Sequence, residues 1–339
     1  MSVKEPSVRV PSVVRPAEGT VFHYTSADGL VGIVQNEELW VGEATGLNDT
    51  AEIRQGWDHV RRWLAKRAEV EAAVDLMNLA ERPIWRAPDT FVLCGSTRGD
   101  DANQWRLYGD GGRGYAVGLD SRVPLVALSR KDISEPDPEV ERAVPRVSKS
   151  GTIHLGRMLR DSCTVTPWLH VLYDPDEIDR ALAELVSDFT DEETQRRSEP
   201  MDEEESSESW QMLQSAMYER LSVIAQLIKA PGFSGENEVR VIATFLSNHH
   251  QRFRGGRYGV VRYVPVTGGK HAQGKVMWAH KASELAVAPD WRIKPSLPIT
   301  SVRMGPLLHP ENNREAIEVL LARHGHKNAA VEPSDVPLR

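Results

Sequence analysis

Trp210, Leu213, Met217, Leu221, Ile224 and Ile228 follow one another at three- and four-residue steps, which puts all six on one face of a long helix. After a break at Lys229-Ala230-Pro231-Gly232 the chain enters Gly235-Glu236-Asn237-Glu238-Val239-Arg240-Val241-Ile242-Ala243-Thr244-Phe245, whose apolar, β-branched run reads as a strand. The rest of the chain mixes the two periodicities without a regular strand-helix-strand rhythm, which favours an α+β fold over a doubly wound sheet.

Strands are expected at Thr20–Thr25, Leu39–Val41, Thr90–Cys94, Tyr115–Leu119, His170–Tyr173, Tyr258–Val266, Ile299–Met304 and Ala329–Val331. Helices are expected after Ser26, after Asn48-Asp49 with Ile53, Trp57, Val60 and Leu64 as the core stripe, from Asp174 to about Phe189, and over Glu311–His324. Thr190–Glu208 is dense in acids and serine and reads as a solvated loop, and Arg252–Arg257 as a basic turn. Residues 1–19 read as a flexible lead, followed by a single α+β domain over 20–339 with a helical and acidic-loop insertion around 176–230.

Several function classes fall away on composition. A net charge of −8 and a pI near 5.8 argue against holding nucleic acid through bulk charge, although a local basic groove remains open. Cys94 and Cys163, the two cysteines, read as buried thiols of a reducing compartment. Met1–Pro16 has no apolar core of the signal-peptide kind and no run approaches a membrane span, so a cytoplasmic protein is expected. His249-His250 and His324-Gly325-His326 lack zinc-site spacing, so no metal is expected. The glycine cluster Gly109–Gly114 precedes a strand and lacks the lysine of a phosphate loop, and reads as a hairpin-like turn.

What remains is carboxylate chemistry. On a strand, Glu236, Glu238 and Arg240 share one face. Two adjacent carboxylates raise the pKa of at least one of them, and a guanidinium pulls the other way. Such a set suits acid/base work or a grip on ribose hydroxyls; the plain alternative is a solvated, ion-paired strand face.

In chain order, His23-Tyr24-Thr25, Asn48-Asp49, Ser96 followed by Trp105 and Tyr108, Glu236-x-Glu238-x-Arg240 and Val302–Pro306 together resemble a bacterial family catalogued as domain of unknown function 2971, over Phe22 to the C-terminus. More distantly, a first strand with His-Tyr, a middle strand ending in serine and a late strand with Glu-x-Glu are similar to the ADP-ribosyltransferases of the His-Tyr-Glu type. That likeness implies a split mixed β-sheet with peripheral helices, clamping NAD as substrate. It implies that His23 contacts a ribose, that Tyr24 or Tyr108 stacks on the nicotinamide, that Glu238 holds the nicotinamide-ribose hydroxyl and that Glu236 orients the acceptor. Thr25, Asn48, Asp49, Ser96, Trp105 and Arg240 are the further candidates for contact with NAD, Asn48-Asp49 having a helix cap as its plain alternative.

The expected activity is an NAD-dependent ADP-ribosyltransferase or NAD glycohydrolase acting on a macromolecular acceptor, in an anti-phage or toxin-type role with an antitoxin or defence partner. The alternatives are a non-catalytic nucleotide- or protein-binding module, and a carboxylate-Mg²⁺ hydrolase or nuclease.

Overall fold

A computed structural model describes residues 10–43, 50–81, 89–128, 163–245, 251–256, 259–268 and 296–337. The fold is α+β. The strands are β1 (Thr20–Thr25), β2 (Leu39–Glu43), β3 (Asp89–Ser96), β4 (Tyr115–Asp120), β5 (Leu125–Ala127), β6 (Cys163–Val165), β7 (Leu169–His170), β8 (Glu238–Phe245), β9 (Arg252–Gly256), β10 (Gly259–Gly268), β11 (Ile299–Met304) and β12 (Ala330–Pro333). The helices are α1 (Ala27–Asn36), α2 (Thr50–Ala65), α3 (Glu71–Ala80), α4 (Ala102–Leu107), α5 (Pro175–Ser198), α6 (Glu203–Leu227) and α7 (Pro310–Arg323).

All twelve strands join one mixed sheet with a main path β12-β11-β4-β1-β3-β2-β10-β5. Among the described strand-strand pairs only β11 and β12 run in parallel; Leu172 and Ile228 add an isolated parallel bridge. The topology branches at β3. One edge of β3 is taken along its whole length by β8, from Asp89 opposite Phe245 to Ser96 opposite Glu238. The other edge is shared: β1 meets it through one pair, Phe22 with Ser96, and β2 through two, Gly42 with Val92 and Glu43 with Phe91. Between those contacts, at Leu93, Cys94 and Gly95, β1 and β2 splay apart and leave a fork.

Two cores flank the sheet. In the first, Val239, Val241 and Ala243 of β8 pack with Phe91, Leu93, Val21 and Trp168, and with Leu30 and Val34 of α1 and Leu321 of α7. In the second, Ile242 packs under α2, α3, α5 and α6 through Val60, Leu76, Leu182, Leu213, Met217 and Leu221. Strand alternation makes this division: odd positions of β8 face one core and even positions the other. The helical stripe of α6 is core, as its spacing predicts. Val60 and Leu64 are buried on α2, while Trp57 is half-buried and stacks on Tyr218 with centroids 5.9 Å apart.

Several expectations are corrected. Helix α5 runs through the acidic stretch to Ser198, and α6 starts at Glu203 with Asp202 and Glu205 in a reciprocal capping box. Local pairing overrides the polar composition there: Arg197 bonds Glu193 one turn back, at 2.5 Å. Residues 10–17, expected as part of a flexible lead, are pinned: Val13, Val14 and Ala17 are buried, and the Ala17 amide donates to the Trp168 carbonyl at 2.7 Å. Arg252–Gly256 is a strand, not a turn, because it finds a partner in β10. Gln104–Leu107 lies in α4, and the glycine cluster forms a 3₁₀ turn at Asp110–Gly112 that connects α4 to β4 rather than closing a hairpin. Gly111 (φ 62°) and Gly112 (φ 93°) supply the left-handed conformations this turn requires.

Candidate functional site

A cavity of about 580 Å³ fills the fork and its rim. Its walls come from Phe22–Thr25 of β1, Leu39, Trp40 and Gly42 of β2, Val92–Gly95 of β3, the first turns of α1, and Tyr108, Lys229, Glu236, Glu238, Arg240 and Arg254. The volume falls within the usual range of small-molecule sites, about 300–1,000 Å³. Helix α1 closes on β1 because position 29 is glycine: a Cβ there would lie 1.9 Å from Thr25 Oγ1.

The fork leaves the Cys94 carbonyl without a strand neighbour, and His23 answers it: Nδ1 stands 2.9 Å from Cys94 O. A carbonyl only accepts, so Nδ1 carries the proton. Burial lowers the imidazole pKa from its ordinary 6.5, with the Cys94 bond opposing. At neutral pH His23 is therefore uncharged, and Nε2 is an acceptor.

Tyr24 is spent on structure. Its hydroxyl donates to the Arg98 carbonyl at 2.9 Å and accepts from the Asp101 amide at 3.2 Å, and its ring meets Trp105 edge-on at 4.8 Å. Trp105 is fully buried, with Nε1 donating to Asp100 at 2.7 Å, and does not line the cavity. Ser96 is buried behind the wall, where its hydroxyl donates to the Glu236 carbonyl at 2.8 Å and accepts from the Arg98 amide at 3.1 Å. Tyr108 lines the cavity with its side chain partly in solvent; burial and the Glu236 charge push its hydroxyl up to about 12. Asn48 and Asp49 lie outside the described residues.

The carboxylate set differs from the sequence expectation in two ways. Strand β8 begins at Glu238, and Glu236 ends a 3₁₀ helix (Pro231–Glu236) followed by Asn237 at φ 47°. The two acids therefore do not share a strand face by alternation. They meet through Lys229, whose Nζ donates to Glu236 Oε2 at 2.7 Å and to Glu238 Oε2 at 2.9 Å. Arg240 grips Glu238 with both arms of its fork, Nε to Oε1 at 2.7 Å and Nη2 to Oε2 at 3.1 Å, while Nη1 donates to the Gln226 carbonyl at 2.6 Å. Lys229, Glu238 and Arg240 are all buried.

The second difference is a second cation at Glu238. Burial pushes the Glu238 carboxyl up, but the Arg240 guanidinium and the Lys229 ammonium outweigh it and hold it at about 2. At Glu238 the pull of the guanidinium wins, and a second cation adds to it. Glu238 is thus a permanent carboxylate and no general acid. Cys94, opposite Arg240 on β3, has its thiol pushed up by burial and by the Glu238 charge, so it is no activated nucleophile.

Lys229 escaped the sequence reading. Its signal was one cation closing the apolar run Leu227-Ile228, just before Pro231. Trp40 and Arg254 were missed too, since no local pattern links them. Among the described residues, no three His, Cys, Asp or Glu side chains gather as a metal-holding group, and no helix is long and apolar enough to cross a membrane.

No curated protein and no solved structure matches the chain. The sequence model of one family, "Protein of unknown function (DUF2971)", matches residues 104–241, a shorter stretch than the resemblance implied. It takes in Tyr108, Lys229, Glu236, Glu238 and Arg240 and leaves out the strands that carry His23 and Trp40, so the likeness to that family covers the charged wall of the cavity.

Proposed function

We propose that the protein binds NAD in the β1–β2–β3 fork and cleaves its nicotinamide–ribose bond, as an ADP-ribosyltransferase or NAD glycohydrolase. The observation that carries this reading is the convergence of His23 with Glu236 and Glu238, more than two hundred positions apart in sequence, on one cavity that also holds Tyr108. The opening of the sheet between β1 and β2 supports a split-sheet likeness in the same sense.

In the reaction the ribose C1′–nitrogen bond breaks with its electron pair leaving on nicotinamide. Water or a macromolecular nucleophile bonds to C1′ and releases its proton. Positive charge builds on the sugar, so a fixed carboxylate nearby stabilises the transition state more than the ground state. His23 Nε2 accepts a ribose hydroxyl proton. The face of Tyr108 suits a cationic pyridinium. The two carboxylates divide the work. Glu238 already takes three hydrogen bonds from Arg240 and Lys229. Glu236 takes one from Lys229 through Oε2, which leaves Oε1 for a ribose hydroxyl. Glu238 then acts as the positioning charge behind Glu236.

Incubation with NAD, followed by chromatography, should reveal nicotinamide release that Glu236→Gln abolishes with its circular dichroism unchanged. No release with water or cell-extract acceptors, together with no NAD binding in calorimetry, defeats the reading. The saturation of Glu238 by two cations favours a second reading, a nucleotide-binding module without turnover; thermal stabilisation by NAD with no nicotinamide released selects it.

A further inference from the structure

Most charges around the cavity are met by an opposite charge. Lys229 and Arg240 face Glu236 and Glu238. Arg252 faces Glu38 at 3.4 Å, and Arg262 faces Glu43. Arg254 lines the cavity and makes no ion pair among the described residues; its guanidinium lies over the ring of Trp40, 5.6 Å from the centroid. Asp28 also lines the cavity, in the first turn of α1, where the helix N-terminus offsets its charge.

The sheet register puts Arg254 and Trp40 together. On β9, Arg252 stands opposite Tyr263 and Arg254 opposite Val261; on β2, Gly42 stands opposite Tyr263 and Trp40 opposite Pro265. Cross-strand partners and alternate residues share a face, so Arg252, Arg254, Tyr263 and Trp40 form one patch. The indole is held in place on that patch. Its Nε1 donates to Glu38 at 3.0 Å, and its ring lies 4.6 Å from that of Tyr263. Nearly half of Trp40 remains exposed, at 44%.

A guanidinium with no ion pair among the described residues, beside an oriented, half-open indole in a cavity that also presents hydroxyl acceptors, has a chemical complement. We propose that Arg254 and Trp40 form the phosphate end of the site, Arg254 taking phosphate oxygens of a nucleoside phosphate with its planar fork and Trp40 packing on the adjoining sugar or base. This rests on the nucleotide reading of the cavity, but not on any turnover. The ligand class is a small nucleoside diphosphate or dinucleotide. His23 and Glu236 read its ribose, and Arg254 its phosphates.

The test is calorimetric titration of the full chain with ADP-ribose, and separately with nicotinamide riboside, which has no phosphate. Arg254→Gln should weaken ADP-ribose at least tenfold, flatten the salt dependence of its affinity, and leave nicotinamide riboside unchanged. Arg254→Lys, which keeps the charge and loses the fork, should fall between. Equal ADP-ribose affinity in the wild type and Arg254→Gln overturns the inference, as does equal weakening of both ligands or no ADP-ribose binding by the wild type. Binding of ADP-ribose through Arg254 with no nicotinamide release from NAD keeps the inference and defeats the catalytic reading.

Discussion

Replacing Glu238 by glutamine separates its charge from its shape. The carboxyl is 6% exposed and held at about 2, against an ordinary value of 4.5. A carboxyl lowered on folding stabilises the native state above its unfolded pKa and loses that contribution as the pH falls toward the folded one. At about 1.4 kcal/mol per unit the full contribution is about 3 kcal/mol near neutrality, of which about 2 kcal/mol is gone by about pH 3. At neutral pH, Glu238→Gln removes the carboxylate charge that Arg240 and Lys229 both contact, and breaking a buried ion pair costs about 3–5 kcal/mol. The wild type should therefore be several kcal/mol more stable than the variant near neutrality, and the two should converge in acid. His23 adds its own acid loss, because burial lowers its pKa from 6.5 and its neutral form favours the fold above that value; this loss is common to both proteins and cancels in the difference. Urea titrations followed by far-ultraviolet circular dichroism, stepped downward in pH from neutrality, give the two curves. Parallel curves, with a constant gap from neutral pH to about pH 3, would refute the ion-pair origin of the low Glu238 pKa.

Two further outcomes follow from the walls of the site. Ser96→Ala should cost about 1–3 kcal/mol in urea unfolding, because the fully buried hydroxyl ties the Arg98 amide to the Glu236 carbonyl; its removal strips the amide of that acceptor and leaves the carbonyl the 3.4 Å bond from Gln104 Nε2. Asp100→Asn should release the C-terminal tail to limited proteolysis, since Asp100 accepts from Trp105 Nε1 and the Asp335 amide at 2.7 and 2.8 Å and pairs with Arg303 at 3.5 Å; an unchanged cleavage pattern counts against that anchoring.

Elements with strong local periodicity were legible in the sequence. The stripe from Trp210 to Ile224 is the core-facing side of α6, with Ile228 capping its end, and Ile299–Met304 is β11. Elements held by partners were not. The strand β9 exists because β10 lies beside it, and the end of α5 is held by contacts with other helices, Phe189 and Arg196 against the Trp210 ring of α6 and Arg197 with Glu71 of α3. Among the candidate residues, the strand order brought His23, Tyr24, Thr25, Tyr108, Glu236, Glu238 and Arg240 to one cavity and left Ser96 and Trp105 behind its wall.

Sequence by itself settled which faces are apolar, because side-chain period is a property of neighbouring residues. It also supplied the residue types, an imidazole and two acids, that give the cavity its chemistry. Tertiary structure decided the ionisation and the shape. Coulomb energy depends on distance through space, so the state of Glu238 followed from the fork of Arg240 closing on it and from Lys229, which approaches from the end of α6. The fork itself followed from one strand, β3, having two neighbours compete for a single edge.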